Sequence, residues 1–178
     1  YDPEFFADKL LVATNNSWSH WLPRVDYMVT KYHEHALTWC NSDRVGTVIV
    51  SRGHSGQLSR PVEDSPDYVV FEHENNKSEA FTAEDFPTTG LVVSFSTITS
   101  SMHLAAHLGA RHIVMVGADC GWLDNRSAVE GHINSLFRLD LPKHFDLQNR
   151  IVADQLRKRY GCSISSMLPF VTPNMEGH

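Results

Sequence analysis

The sequence contains no apolar run approaching the ~18 residues of a membrane-spanning helix, so no membrane span is expected. It has no surplus of positive charge. Lys and Arg total 15 against 21 Asp and Glu, a net charge of −6. An extended nucleic-acid surface is usually basic, so no nucleic-acid partner is expected. Cysteine is scarce: Cys40, Cys120 and Cys162 are odd in number and lack zinc-site spacing. They suit reduced thiols in a cytoplasmic protein. Two phosphate-binding signatures are absent, the Walker-type loop and a G-x-G-x-x-G after the first strand. Neither a P-loop kinase nor a standard dehydrogenase is supported, and no haem, flavin or zinc is expected. The chain opens at Tyr1 and stops at Glu176-Gly177-His178, which suggests a fragment of a longer reading frame or a processed start.

What remains is the composition of one globular domain spanning 1–178, with 42% apolar and 20% charged residues. Short apolar runs recur along it. Lys9 to Thr14, Val25 to Tyr32, Gly46 to Val50, Asp67 to Phe71 and Ser163 to Leu168 read as strands. His112 to Val116 is apolar enough to predict a fully buried strand. Leu91 to Phe95 reads either as a strand or as an apolar lead-in. A short helix is expected over Glu34 to Cys40. Another runs from Thr97 to Leu108, with Ile98, Met102, Ala105 and Leu108 on one apolar face and Gly109 as a left-handed cap. A third spans Lys143 to Tyr160, with Phe145, Ile151, Val152 and Leu156 inward and Gly161 as its stop. Strands alternating with helices predict an α/β fold, a Rossmann-like three-layer sandwich with a mainly parallel sheet covered on both faces.

In such folds ligands bind beyond the carboxyl ends of the strands. The residues there are Asn15 and Asn16, Lys31 and His33, Ser51 and Arg52, Ser96 to Ser101, and Asp119 to Gly121. Asparagine and serine hydrogen-bond bases, riboses and phosphates, and Lys31 and Arg52 add positive charge. Polar residues also follow strands simply because loops are wet. The Thr97 helix start offers main-chain N–H groups to an anion, although Ser96 or Thr97 can equally cap those groups. Asp119 suits a metal, a ribose hydroxyl or a plain turn. His103 and His107, four apart, lack the metalloprotease Glu and read as a solvated or half-buried flank. His132 and His144 follow in a looser stretch, where 122–142 suits a lid, and either histidine suits a general base near neutral pH. Eleven histidines in all give a charge balance sensitive to pH near 6.

The unit Ser96 to Asp124, with its Ser/Thr loop, small-residue helix, Leu108-Gly109-Ala110 turn and Val116-Gly117-Ala118-Asp119 strand end, resembles a particular Rossmann-like group. That group holds the 6-hydroxymethylpterin diphosphokinase-like proteins and related bacterial sialyltransferases. Val12-Ala13-Thr14-Asn15-Asn16, Asp26-Tyr27-Met28-Val29 and the tail from Pro169-Phe170-Val171 are similar to the same group. The resemblance implies a nucleotide-dependent transferase. The donor is a nucleotide-sugar in the sialyltransferase branch, and ATP with Mg2+ in the diphosphokinase branch. A non-catalytic nucleotide-binding module is the third alternative. Carried over by position, Asn15 or Asn16 would touch the nucleotide. Ser100 and Ser101 would lie near its phosphate or sugar, Asp119 at the next strand end near any Mg2+, and His132 or His144 would act as base. Such proteins open with an earlier strand and a Gly-Pro-Ser-type loop, and none precedes Lys9; either the chain is a fragment lacking both, or the protein does not use the donor in the usual way. A small-molecule nucleotide is the expected ligand, and a homo-oligomer is compatible with the sequence.

Overall fold

The computed structural model describes residues 2–52, 62–72, 86–87, 89–92, 94, 96–117 and 141–167. The protein is α/β, and all its described strand ladders are parallel. The contacts group the chain into two compact units, residues 1–76 with 87–93, and residues 77–86 with 94–178.

The first unit is built on strands β1 (Val12–Thr14), β2 (Val25–Thr30), β3 (Val45–Ser51) and β4 (Val69–Phe71), which lie side by side in chain order. β-Branched residues dominate β2 and β3 and fill the interior: Val25, Val29, Val48 and Val50 are buried, with Met28 among them. Asp26 aligns the first strand, since its Oδ2 accepts from the Leu11 N–H at 2.7 Å while Leu11 O accepts from the N–H of Asp26 and Tyr27. Glycine is required at Gly46, where a Cβ would stand 2.6 Å from the Asp26 carbonyl oxygen. Helix α1 (His33–Trp39) packs on β3 and β2 through buried Ala36. At the other end of the sheet Arg44 lies over the rings of Trp18 and Trp39 and donates to the carbonyls of Ser19, Leu22 and Pro23. Its stacking and three carbonyl partners hold the β1–β2 connection in place.

The second unit holds α2 (Ile98–His107), β5 (His112–Met115), α3 (Leu141–Tyr160) and β6 (Ser163–Ser166), with β5 and β6 paired in parallel and α2 packed on α3. Two expectations are corrected here. Helix α2 is not one-sided: every residue from Thr99 to Ala106 is buried, whereas Leu108, expected inward, is 44% exposed. Serine, threonine and alanine make a helix narrow enough to be enclosed, and Leu108 lies beyond its last turn. Strand β5 is not buried throughout but alternates, with Ile113 and Met115 inside and Val114 43% exposed. The Gly109 cap is as expected: at φ +90° it lets Ala110 N–H reach back to Ala105 O at 3.0 Å. Val152 and Leu156 of α3 are fully buried as expected, Ile151 only partly so, and the Phe145 side chain lies outside the described residues. Leu91 and Val92 are buried without joining a strand. No helix among the described residues is long and apolar enough to cross a membrane.

Candidate functional site

Parallel strands all end on the same edge, so consecutive strand ends bring their polar residues together. Asn15 directly follows β1 in the left-handed region, at φ 56°, which asparagine tolerates better than most residues. Its N–H donates to Val29 O at 2.9 Å, and its Oδ1 accepts from the Thr30 hydroxyl at 3.1 Å. Thr30, the last residue of β2, is wholly buried and accepts from the Tyr32 N–H at 3.0 Å. The same hydroxyl lies 3.4 Å from His35 Nδ1, so one threonine ties the end of β1 to the start of α1.

Lys31 comes next, one position past the Thr30–Val50 register pair and hence level with Ser51. It is only 5% exposed, and burial pushes its ammonium down from 10.5 to about 7. Ser51, the last residue of β3, is also wholly buried and pairs with Phe71 across the ladder. Arg52 is spent on structure. It donates to Asp64 Oδ1 at 2.8 Å, Glu72 Oε1 at 3.0 Å and Val62 O at 3.1 Å. His33 Nε2 meets the Tyr68 hydroxyl at 3.1 Å. Asn16 starts the 3-10 turn Ser17–His20, where its carbonyl accepts from Ser19.

The structure thus brings together Asn15, Lys31 and Ser51 of the sequence-predicted set. It adds Thr30 and His35, which sequence reasoning passed over. A Thr at a strand's last position and a His one turn into the next helix carry no motif; the only signal was their neighbourhood to Lys31. The sheet order β1-β2-β3-β4 never reverses, so this edge has no topological switch point among its described strands. A hollow of about 330 Å3 opens at the opposite, amino-terminal end, lined by Phe6, Lys9, Leu11, Leu22, Arg24 and Asp26 among others.

The α2 start belongs to the second unit. Its first-turn N–H groups are used internally: Thr99 N–H bonds Ser96 O at 3.3 Å, and those of Ser100 and Ser101 bond Thr97 O at 3.1 and 3.2 Å. Ile98 N–H takes the longer 3.4 Å bond to Ser96 Oγ, so Ser96 rather than Thr97 supplies the side-chain cap. The Ser94 and Thr99 hydroxyls meet at 3.0 Å. Thr97, Ser100 and Ser101 are buried, and the Ser101 hydroxyl donates back to Thr97 O within the helix at 3.4 Å.

His103 corrects an expectation, being buried rather than on a flank. Its Nε2 meets Tyr160 Oη at 2.9 Å and its ring packs on Phe86. Burial, with smaller contributions from His107 and Arg159, lowers it from 6.5 to about 4. His107 is exposed. No group of three metal-ligating side chains occurs among the described residues. Asp119, Cys120, Gly121, His132 and the lid stretch 122–140 lie outside the described residues, and His144 is described only as backbone of α3. Comparison with protein-family models, curated proteins and solved structures finds no match.

Proposed function

We propose that the carboxyl edge of the four-stranded sheet binds a nucleotide and that the protein is a nucleotide-dependent transferase acting on a nucleotide-sugar. One observation carries this reading: Asn15, Thr30, Lys31 and Ser51 gather at the ends of three adjacent parallel strands. They lie at the carboxyl ends of the strands, the side on which open α/β sheets carry their ligands, although the described order shows no switch point. Asn15, the partly accessible residue of the set, offers an amide suited to ribose or base. A phosphate beside Lys31 would favour its protonated form. The reaction is attack by an acceptor hydroxyl on the activated donor, with the bond to the departing phosphate breaking. A cytoplasmic setting accords with the free thiols Cys40 and Cys162.

A thermal-shift panel tests the reading. Cytidine or uridine nucleotides without metal should stabilise the protein, and Asn15→Ala and Lys31→Met should abolish the shift. Stabilisation by ATP only with Mg2+ would select the diphosphokinase alternative. Binding without turnover of any donor would select a non-catalytic module, and no shift with any nucleotide would sink the reading.

A further inference from the structure

In the second unit, remote in sequence from that edge, one imidazole bridges two serines. His112 opens β5, and Ser163 and Ser165 lie on β6, with His112 opposite Ser163 and Val114 opposite Ser165 in the ladder. All four share one face of the two-stranded sheet, because burial alternates along both strands. His112 is exposed and both serines are partly accessible. Ser163 Oγ lies 2.5 Å from His112 Nδ1, and Ser165 Oγ lies 3.2 Å from His112 Nε2.

A third contact is compatible with one direction for these two bonds. The Ser163 hydroxyl can donate its one proton to Arg111 O at 3.3 Å. Toward His112 it would then accept, with the ring proton on Nδ1, and this is the tautomer the proposal takes. In the neutral imidazole Nε2 is then the bare nitrogen and accepts from the Ser165 hydroxyl. This is the order of a nucleophile, a base and an orienting group, with a hydroxyl in the third place.

We propose that Ser165 is a nucleophile activated by His112 and oriented through Ser163, and that it accepts acyl groups from small activated esters. Ser165 Oγ attacks the ester carbonyl while His112 Nε2 takes its proton. The bond to the alcohol then breaks, its electron pair leaves with the alcohol oxygen, and His112 returns the proton to it. Water completes the cycle through the same nitrogen, giving the free acid and restoring Ser165. Val114, 43% exposed and opposite Ser165, offers an apolar rest for a short acyl chain.

The test uses the whole chain with a fluorophosphonate probe and p-nitrophenyl acetate, with the modified residue located by peptide mass spectrometry. The expected result is label on Ser165, absent in Ser165→Ala and slowed at least tenfold in His112→Gln, in the range for loss of a general base. Ser163→Ala should slow labelling less, and Ser163→Thr, which keeps the hydroxyl, should restore it. Melting curves of each variant separate lost reactivity from lost fold. Nitrogen chemical shifts of the His112 ring provide an independent reading, with the Nδ1–H form expected. No label, label unaffected by Ser165→Ala, or an Nε2–H ring in the native protein would each overturn the proposal.

Discussion

Two buried bases, one in each unit, meet the same physical problem with different outcomes. Lys31 stands at the end of β2 and His103 in the middle of α2, and burial lowers both. His103 falls to about 4 and is neutral throughout the physiological range, a hydrogen-bonding core residue held against Phe86 and Tyr160. Lys31 falls to about 7, where a small change in surroundings decides its charge. A buried imidazole becomes inert because its ordinary value starts just below neutrality. A buried amine becomes responsive because it starts far above. The same desolvation therefore produces a structural residue in one unit and a candidate ligand-sensing residue in the other.

The largest effect should come from removing the inert base. His103→Ala leaves a cavity beside Phe86 and takes a partner from the Tyr160 hydroxyl; a loss of about 2–3 kcal/mol is expected in urea unfolding. A loss below about 0.5 kcal/mol would mean that His103 is not part of the core. Lys31→Met should act in the opposite direction. At pH 6 it removes a buried charge and should stabilise by on the order of 2 kcal/mol while weakening nucleotide binding. Destabilisation at pH 6 would show that the ammonium is well accommodated and would break the comparison.

The pH dependence sharpens it further. Between about 7 and 10.5 the unfolded chain holds a proton on Lys31 that the native protein has released, so native stability rises with pH across that window. The advantage of Lys31→Met should therefore shrink as pH rises toward 10.5, as melting curves at stepped pH would show. For His103 the sign is the same and the window is about 4 to 6.5. Acidification through it destabilises the wild type, and His103→Gln should flatten that slope. The smallest effect is the control, Gly109→Ala. Nothing lies within 4 Å of an added Cβ, so only the φ of +90° resists it, costing about 1 kcal/mol and leaving both titrations in place. A moved titration there would mean that the α2 cap, not burial, sets the His103 environment.

Local pattern revealed the elements and missed the enclosure. The strands over Val25–Thr30 and Val45–Ser51, the Gly109 cap and the Gly161 stop were legible because β-branched runs and positive-φ glycines act within a few residues. Asn15, Lys31 and Ser51 were legible as strand-end residues for the same reason. The burial of Lys31 was not, because it depends on which chain segments close over a strand end. The Thr30 link between Asn15 and His35 depends likewise on β1 lying beside β2. On β5, the three consecutive apolar residues Ile113, Val114 and Met115 concealed an alternation that only pairing with the serine-rich β6 exposes.

The chain-order sheet also bears on how the protein is made. Each strand after β1 is laid against one already synthesised, so pairing can follow the emerging chain without waiting for a distant segment. Among the described residues its two outer strands, β1 and β4, are three residues each, half the length or less of the inner two. A nascent chain paused with this sheet formed would offer little open backbone for another copy to pair with, and so little template for aggregation.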